Sequence, residues 1–97
     1  MHDIPFNYLN TGISLLAVIM WFVYILKCSD NTYYTGCTSD LEDRLNRHAK
    51  GENMYTKYRL PVTLIWYAAF LNKYKAYDFE KYLKSGSGKA FAQKRFI

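Results

Sequence analysis

A chain of 97 residues, 51% of them hydrophobic, is long enough for one folded domain and too short for two. Its two cysteines, Cys28 and Cys37, exclude a disulfide framework and lack the paired spacing of a zinc site, so we expect reduced thiols in a cytoplasmic protein. The formal net charge is +5, and residues 73–97 hold seven basic side chains against two acidic ones. This basic end predicts either contacts with a phosphate backbone or a solvated lysine-rich helix face, and charge alone leaves both open.

An apolar run over residues 13–26 precedes the first polar turn. It is shorter than the roughly 20 residues of a membrane-spanning helix and follows no basic region, so we expect no membrane span. Its second half is typical of a strand buried on both faces. We therefore divide the chain into an N-terminal extension, residues 1–20, and a domain, residues 21–97. The extension is either a segment added by an upstream start or a short helix packed on the domain. An interaction or membrane-associated role for it is a separate hypothesis.

Two tyrosines lie on either side of a predicted turn. Tyr24 and Tyr34 belong to successive β-branched and aromatic runs, the pattern of two antiparallel strands. A two-residue loop would put their side chains on opposite faces of the sheet, whereas a three-residue loop ending in a left-handed Asn31 puts them on one face. In the second register Tyr24 lies opposite Gly36 and Tyr34 opposite Leu26, so the rings are diagonal neighbours. A shared site therefore requires the three-residue loop.

A helix is predicted over residues 40–50, with Ser39 beginning a capping box and Gly51 ending the helix. Arg44 and His48 lie four residues apart at the edge of its buried stripe, between core and solvent. In isolation, Arg44 would be a salt-bridge or snorkelling side chain, and His48 a boundary histidine with a local hydrogen bond. The neighbouring tyrosines favour a functional role for both.

The remaining elements complete the predicted fold. Residues 62–71 are almost wholly apolar and predict a third strand, covered on both faces, which we place in the middle of the sheet. Asn72 is expected to cap a second helix that runs to about Lys84, and Ser87 a last short helix. The order strand-strand-helix-strand-helix-helix predicts an α/β (α+β) fold, a small three-stranded antiparallel sheet flanked by helices.

One carboxylate stands out on the second helix. Glu80 lies beside the predicted buried stripe, whereas Asp78 points to solvent. A carboxylate at the edge of a core is costly unless it is paired or binds a metal, which makes Glu80 the best metal-ligand candidate. The alternative is a surface ion pair with Lys84 at the favourable i,i+4 spacing.

The tripeptides around the two tyrosines resemble those that give the GIY-YIG endonuclease family its name. The similarity covers residues 21–97 and is carried by Val23-Tyr24-Ile25, Tyr34-Thr35-Gly36, Leu41–Leu45, His48, Tyr55-Thr56-Lys57 and Glu80. The chain looks closest to small single-domain members with no appended DNA-binding module. The resemblance implies a metal-dependent endonuclease that hydrolyses phosphodiester bonds in DNA, with DNA repair as its setting.

The resemblance also implies a role for each site residue. Tyr24 would act as general base on the attacking water, and Tyr34 would position the phosphate or the water. Arg44 would stabilise the non-bridging oxygens, while His48 would relay a proton or contact phosphate. Glu80 would hold one Mg²⁺ or Mn²⁺ with phosphate oxygens and waters. An unperturbed phenol titrates near pH 10, so Tyr24 must be tuned downwards or pass its proton on.

Nucleic acid, most directly DNA, is the expected partner, and Lys57, Lys89, Lys94 and Arg95 are the candidate contacts. The chain has no recognisable specificity module, so we expect recognition by shape or through a protein partner that supplies specificity. Many family members carry a lysine where this chain has Cys37, and His48 or Lys57 would have to compensate. Without compensation, the alternative function is a catalytically weak DNA- or RNA-binding module.

Overall fold

The computed structural model describes residues 19–97, so the predicted extension lies almost wholly outside the described part. The elements, in chain order, are β1 Trp21–Lys27, β2 Tyr33–Thr38, α1 Leu41–Ala49, β3 Thr63–Phe70, α2 Lys73–Lys84 and α3 Gly86–Arg95. This order and the antiparallel pairing confirm the predicted α+β fold. Within residues 19–97, no helix is long and apolar enough to cross a membrane.

The three strands are arranged in the order β2-β1-β3, so β1 is the central strand. As predicted, β1 is buried on both faces, and its residues 23–26 are at most 1% exposed. The expected central position of β3 is wrong. The apolar strand β3 lies at the edge of the sheet, and only one of its faces is well packed. On its other face, Tyr67 is 54% exposed. The edge of β2 that faces away from β1 has no strand beside it among the described residues.

The predicted cap of the first helix is wrong by one residue. Asp40, not Ser39, is the N-cap, and its carboxylate accepts a hydrogen bond from the backbone N–H of Asp43 at 3.0 Å. The hydroxyl of Thr38 accepts the N–H of Asp40 at 3.1 Å, which fixes the entry of the chain into α1. Since Thr38 orients Asp40 in this way, the helix begins at Leu41.

The end of α1 and the start of α2 agree with the sequence. Gly51 adopts a φ of 77°, and its N–H donates to the carbonyl of His48 at 3.0 Å while Glu52 N–H donates to Arg47 at the same distance. This pair of bonds is a Schellman motif, which requires a left-handed residue after the helix. Asn72 caps α2 through two backbone N–H groups, as predicted. The chain after Gly51 therefore turns back beside His48.

The junction between α2 and α3 differs from the prediction. Ser85, not Ser87, caps the last helix: its N–H donates to the carbonyl of Tyr82 at 2.9 Å, and its hydroxyl accepts from Gly88 N–H at 3.1 Å. Because Ser85 ends one helix and begins the next, the helices meet without a loop. A Cβ on Gly88 would overlap the backbone of Tyr82, so a glycine is needed at this contact.

The core lies between the sheet and the two C-terminal helices. Its buried side chains come from β1, α2 and α3, namely Val23, Ile25, Ala76, Leu83 and Ala92. The rings of Trp66 and Phe96 stack against each other at its edge, with centroids 4.3 Å apart. The opposite face of β1 carries Tyr24 and Leu26, and α1 with the following turn lies on that side.

Candidate active site

The predicted three-residue loop between β1 and β2 is confirmed. Cys28 N–H donates to the carbonyl of Thr32 at 2.8 Å, and Asn31 N–H donates to the carbonyl of Cys28 at 3.0 Å. Asn31 is left-handed, with a φ of 65°. Asp30 accepts hydrogen bonds from both the N–H and the hydroxyl of Thr32, at 3.1 and 2.6 Å. The loop is thus fixed by local side-chain and backbone bonds.

This loop sets the register that brings the two tyrosines to one face. Tyr24 pairs with Gly36 and Leu26 pairs with Tyr34, as predicted. The two rings have centroids 6.1 Å apart. The space above Gly36 is filled by the Tyr24 ring, because a Cβ on Gly36 would lie 2.5 Å from Cζ and would also overlap Oη. Glycine at this position is therefore required by the phenol across the strand.

His48 on α1 completes a buried cluster with the tyrosines. Its Nε2 lies 2.9 Å from the Tyr24 hydroxyl, and its Nδ1 lies 2.8 Å from the Thr56 hydroxyl. The His48 ring packs edge-on to Tyr34, with centroids 4.9 Å apart. Tyr24, His48 and Thr56 are all 0% exposed. A continuous chain of side-chain hydrogen bonds therefore runs from the sheet through α1 to the loop after it.

Burial controls the charge state of this cluster. Burial raises the pKa of the Tyr24 phenol, the nearby Tyr34 raises it further, and the Arg44 guanidinium opposes both effects. Burial lowers the pKa of His48, and the positive charge of Arg44 lowers it further. Both groups are therefore neutral at neutral pH. Neutral His48 can accept the phenol proton on Nε2 while Nδ1–H donates to Thr56.

The turn after α1 forms one wall of the site, and the contacts of its Asn53 and Thr56 with the cluster were not predicted. Asn53 donates to the Tyr34 hydroxyl at 3.2 Å and accepts the N–H groups of Tyr55 and Thr56, both at 2.9 Å. Tyr55 packs beside Tyr34, with centroids 5.9 Å apart, and the Arg59 guanidinium lies 4.1 Å above its ring. The available signal was the Asn-x-x-Thr spacing, which is typical of a side chain capping a turn.

The charges of Arg44, Glu80 and Lys84 all act on Cys37, which packs against the core on the other face of β2. Burial raises the pKa of the Cys37 thiol, Glu80 raises it further, and the cations Arg44 and Lys84 lower it. Arg44 also acts on Tyr24 and His48, so it connects this group to the buried cluster. Among residues 19–97, Arg44 forms no salt bridge. Its guanidinium has no carboxylate partner there.

A family model supplies the comparison that decides the family. The GIY-YIG catalytic domain matches residues 20–95. The chain belongs to the GIY-YIG family. UPF0213 proteins of Streptococcus pyogenes serotypes M5 and M3 are each 45% identical over 64 residues, which span 65% of this chain and 70% of theirs. The solution NMR structure of a UPF0213 protein from Bacillus halodurans is similar with a TM-score of 0.51 and 36% identity, covering 77% of this chain and 83% of that one.

Membership of the GIY-YIG family associates the chain with nuclease activity and nucleic-acid binding in general. GIY-YIG nucleases typically depend on a divalent metal, and the described side chains allow a test of that expectation. No three His, Cys, Asp or Glu side chains gather as a ligand set within residues 19–97. Glu80, with its side chain 19% exposed, lies 3.1 Å from the ammonium of Lys84. Mg²⁺ is commonly held by one or two carboxylates plus substrate phosphates, so Glu80 fits a site that the substrate completes.

The predicted nucleic-acid contacts are distributed over two surfaces. Lys57 lies in the turn after α1, with its ammonium 4.9 Å from the ring centroid of Tyr58. Lys89, Lys94 and Arg95 lie on α3, where the Arg95 guanidinium is 5.9 Å from the ring of Phe91. Only Lys89 lines a cleft that also reaches Tyr34.

Proposed function

We propose that this chain is a metal-dependent endonuclease that hydrolyses phosphodiester bonds in DNA. The observation that carries the proposal is the buried hydrogen-bonded chain from Tyr24 through His48 to Thr56, with Tyr34 packed against it. A buried histidine that bonds a tyrosine and a threonine is a costly arrangement for stability alone, because each polar group must stay satisfied. Phosphodiester hydrolysis needs such a proton acceptor beside a phosphate-binding cation, here Arg44.

In the proposed mechanism, Tyr24 and His48 act together as the base. The raised pKa of Tyr24 prevents the phenol from holding a negative charge alone. The water proton therefore passes to the Tyr24 oxygen as the phenol proton passes to Nε2 of His48. Nδ1–H of His48 donates to Thr56 throughout, which fixes the tautomer and ring orientation.

Arg44 would couple substrate binding to this proton transfer. Its charge lowers the pKa of His48, so in the free protein it opposes protonation of the imidazole. A phosphate bound to the guanidinium neutralises that charge and makes His48 a stronger base when substrate is present. Tyr34, which receives a hydrogen bond from Asn53, would position the attacked phosphate.

Glu80 would hold the divalent ion, Mg²⁺ or Mn²⁺, which stabilises negative charge on the phosphate oxygens when bound. For Glu80 to do so, its carboxylate must leave the ammonium of Lys84. Cys37 replaces the lysine of many family members, and in this chain Arg44 and Lys84 bring positive charge to that position. This arrangement favours Arg44 and Lys84, rather than His48 or Lys57, as the compensating groups.

A catalytically weak DNA- or RNA-binding module is the second candidate. The observation that favours it is the full burial of Tyr24, whose 0% exposed side chain must become accessible to an attacking water before it can react. A protein that binds without cutting would keep the basic surface and use the buried cluster only to hold α1 on the sheet.

A cleavage panel separates the two functions. Branched, flapped, single-stranded and duplex DNA are incubated with the protein in Mg²⁺ and in chelator, and products are resolved on denaturing gels. We expect metal-dependent cutting that Glu80→Gln and Tyr24→Phe each lower by at least about 100-fold. Asp78→Asn, on the same helix but exposed, is the matched control and should cut at the wild-type rate.

The outcomes are distinct. Binding in gel shifts without metal-dependent cutting would establish the binding module instead. Cutting that survives both Glu80→Gln and Tyr24→Phe would reject the assigned site.

A further inference from the structure

A cleft opens beside β2, between the two C-terminal helices and the turn after α1. We call it the β2 cleft; it has a volume of about 520 Å³, and its lining includes Tyr34, Thr35, Tyr55, Lys84, Lys89 and Gln93. Its floor is apolar, formed by core side chains of β1, α2 and α3. The volume lies within the roughly 300–1,000 Å³ typical of small-ligand sites.

The β2 cleft offers three kinds of binding group. The rings of Tyr34 and Tyr55 are part of its lining, with centroids 5.9 Å apart. The ammonium groups of Lys84 and Lys89 supply positive charge. The backbone of Thr35 supplies a hydrogen-bond donor and an acceptor. Hydrogen-bonded and non-hydrogen-bonded pairs alternate along the hairpin, starting from the bond between Cys28 and Thr32, so the N–H and C=O of Thr35 point away from β1.

We propose that the β2 cleft binds one unpaired nucleotide of the DNA strand, with its base against the tyrosines and its phosphate at Lys84 and Lys89. The proposal rests on the proposed function, since Tyr34 belongs to both the cleft and the catalytic cluster. A ligand in the cleft would thus contact a side chain of the catalytic cluster. The proposal makes the enzyme selective for substrates with an unpaired nucleotide next to the cut.

Charge and shape favour a nucleotide over a polypeptide strand paired with the edge of β2. A strand would require only backbone hydrogen bonds, whereas the cleft places two lysines beside two aromatic rings, the combination that binds single-stranded nucleic acid. Among residues 19–97, Glu80 is the one carboxylate that pairs with either lysine, and the mechanism assigns Glu80 to the metal. The cleft volume admits a single nucleotide but not a base pair within a duplex, so the nucleotide must be unpaired.

The test is an NMR titration of the full chain, isotope-labelled and in chelator, with short oligothymidylate as the probe and a blunt duplex for comparison. We expect saturable shifts of the backbone amides of Thr35, Lys89 and Gln93 with oligothymidylate and much weaker ones with duplex. Shifts confined to α1 would overturn the proposal. Equal shifts of the cleft amides with a short uncharged extended peptide would do the same, since they would mark a protein strand as the ligand.

Two variants then test the site by fluorescence anisotropy. Gln93→Trp fills the cleft from an exposed position, and Lys89→Glu reverses one charge; each should weaken oligothymidylate binding at least about tenfold. Lys81→Glu is the matched control, because it makes the same charge change on an exposed lysine outside the cleft, and its effect should be clearly smaller. Equal losses in Lys89→Glu and Lys81→Glu would overturn the proposal, and Lys89→Glu keeps the test decisive if Gln93→Trp does not fold.

Failure of the cleft and failure of the nuclease function give different results. The nucleotide site in the cleft would be rejected, and the nuclease function kept, if cutting depends on Glu80 and Tyr24 while Gln93→Trp and Lys89→Glu bind and cut like the wild type. The nuclease function would be rejected, and the nucleotide site kept, if the amides of the cleft shift with oligothymidylate and Lys89→Glu weakens binding but no substrate is cut.

Discussion

Gly36 is the position where one added methyl group should disturb the site most directly. A Cβ there would lie 2.5 Å from Cζ and 2.7 Å from Cε1 of Tyr24. The Gly36 backbone is not left-handed, since Gly51 is the only glycine with positive φ among the described residues. Gly36→Ala therefore adds no backbone strain, and its effect reports on the contact with Tyr24 alone.

The size of the effect follows from what the phenol must do. Tyr24 is fully enclosed, so the methyl group either forces the strands apart or displaces the ring. Overpacking of a core costs about 1–3 kcal/mol. Displacement also breaks the hydrogen bond to His48, and leaving its buried Nε2 unpaired costs about 1–3 kcal/mol more. The loss is therefore about 1–3 kcal/mol if the strands separate and about 2–6 kcal/mol if the ring is displaced, and for a domain of this size Tm falls by at least about 4 °C.

Thermal unfolding followed by circular dichroism measures this loss. Gly86→Ala is the matched control, because nothing lies within 4 Å of its added Cβ, and its stability should change by less than about 1 kcal/mol. Adding Tyr24→Phe to Gly36→Ala should restore little, since Cζ and Cε1 remain too close. Equal melting temperatures for Gly36→Ala and Gly86→Ala would refute the close contact between the Tyr24 phenol and Gly36.

Three further predictions concern the groups around the site. Burial holds the pKa of folded His48 below its unfolded value, so the unfolded chain takes up a proton first as pH falls, and the free energy of unfolding should fall as pH drops below about 6.5. His48→Gln should flatten this pH dependence in denaturant titrations, and an unchanged slope would contradict the assignment. Asp40→Ala should lower the free energy of unfolding by about 1 kcal/mol through loss of the α1 cap, whereas Ser39→Ala should be near neutral in denaturant titrations. The reverse order would support the capping box that begins at Ser39. Lys84→Gln should tighten Mn²⁺ binding in the absence of DNA by freeing Glu80, measured by water-proton relaxation; no tightening would mean that the ion pair does not compete with the metal.

The hairpin could be predicted from the sequence because its determinants are local. Loop length, the tolerance of Asn31 for a left-handed conformation and strand alternation together fix the register from Phe22 to Lys27. The place of β3 could not be predicted in this way. An apolar strand is equally compatible with a central position and with an edge position that has one packed face, and the choice depends on contacts between β1 and distant residues.

The same division applies to the site. The proximity of Tyr24, Tyr34 and His48 was predictable because the hairpin register and helix periodicity place these side chains together. Thr56 and Asn53 were missed as site residues, since their role depends on how the turn after Gly51 folds back over α1. Both caps were misplaced for a similar reason: several Ser and Asp side chains compete for each helix start, and neighbouring hydrogen bonds decide among them.

Lys84 connects the proposed nuclease site with the proposed nucleotide site in the β2 cleft. Its ammonium binds Glu80 in the free protein, and its side chain lines the cleft. A phosphate in the cleft would compete for this ammonium and release the Glu80 carboxylate to a divalent ion. Binding of the unpaired nucleotide and of the metal would then strengthen each other, because such coupling is reciprocal. The Lys84 side chain is 54% exposed, so solvent screens the ion pair in part and lowers the energetic cost of the exchange. In this way the proposed metal site would assemble only on a strand that has entered the cleft.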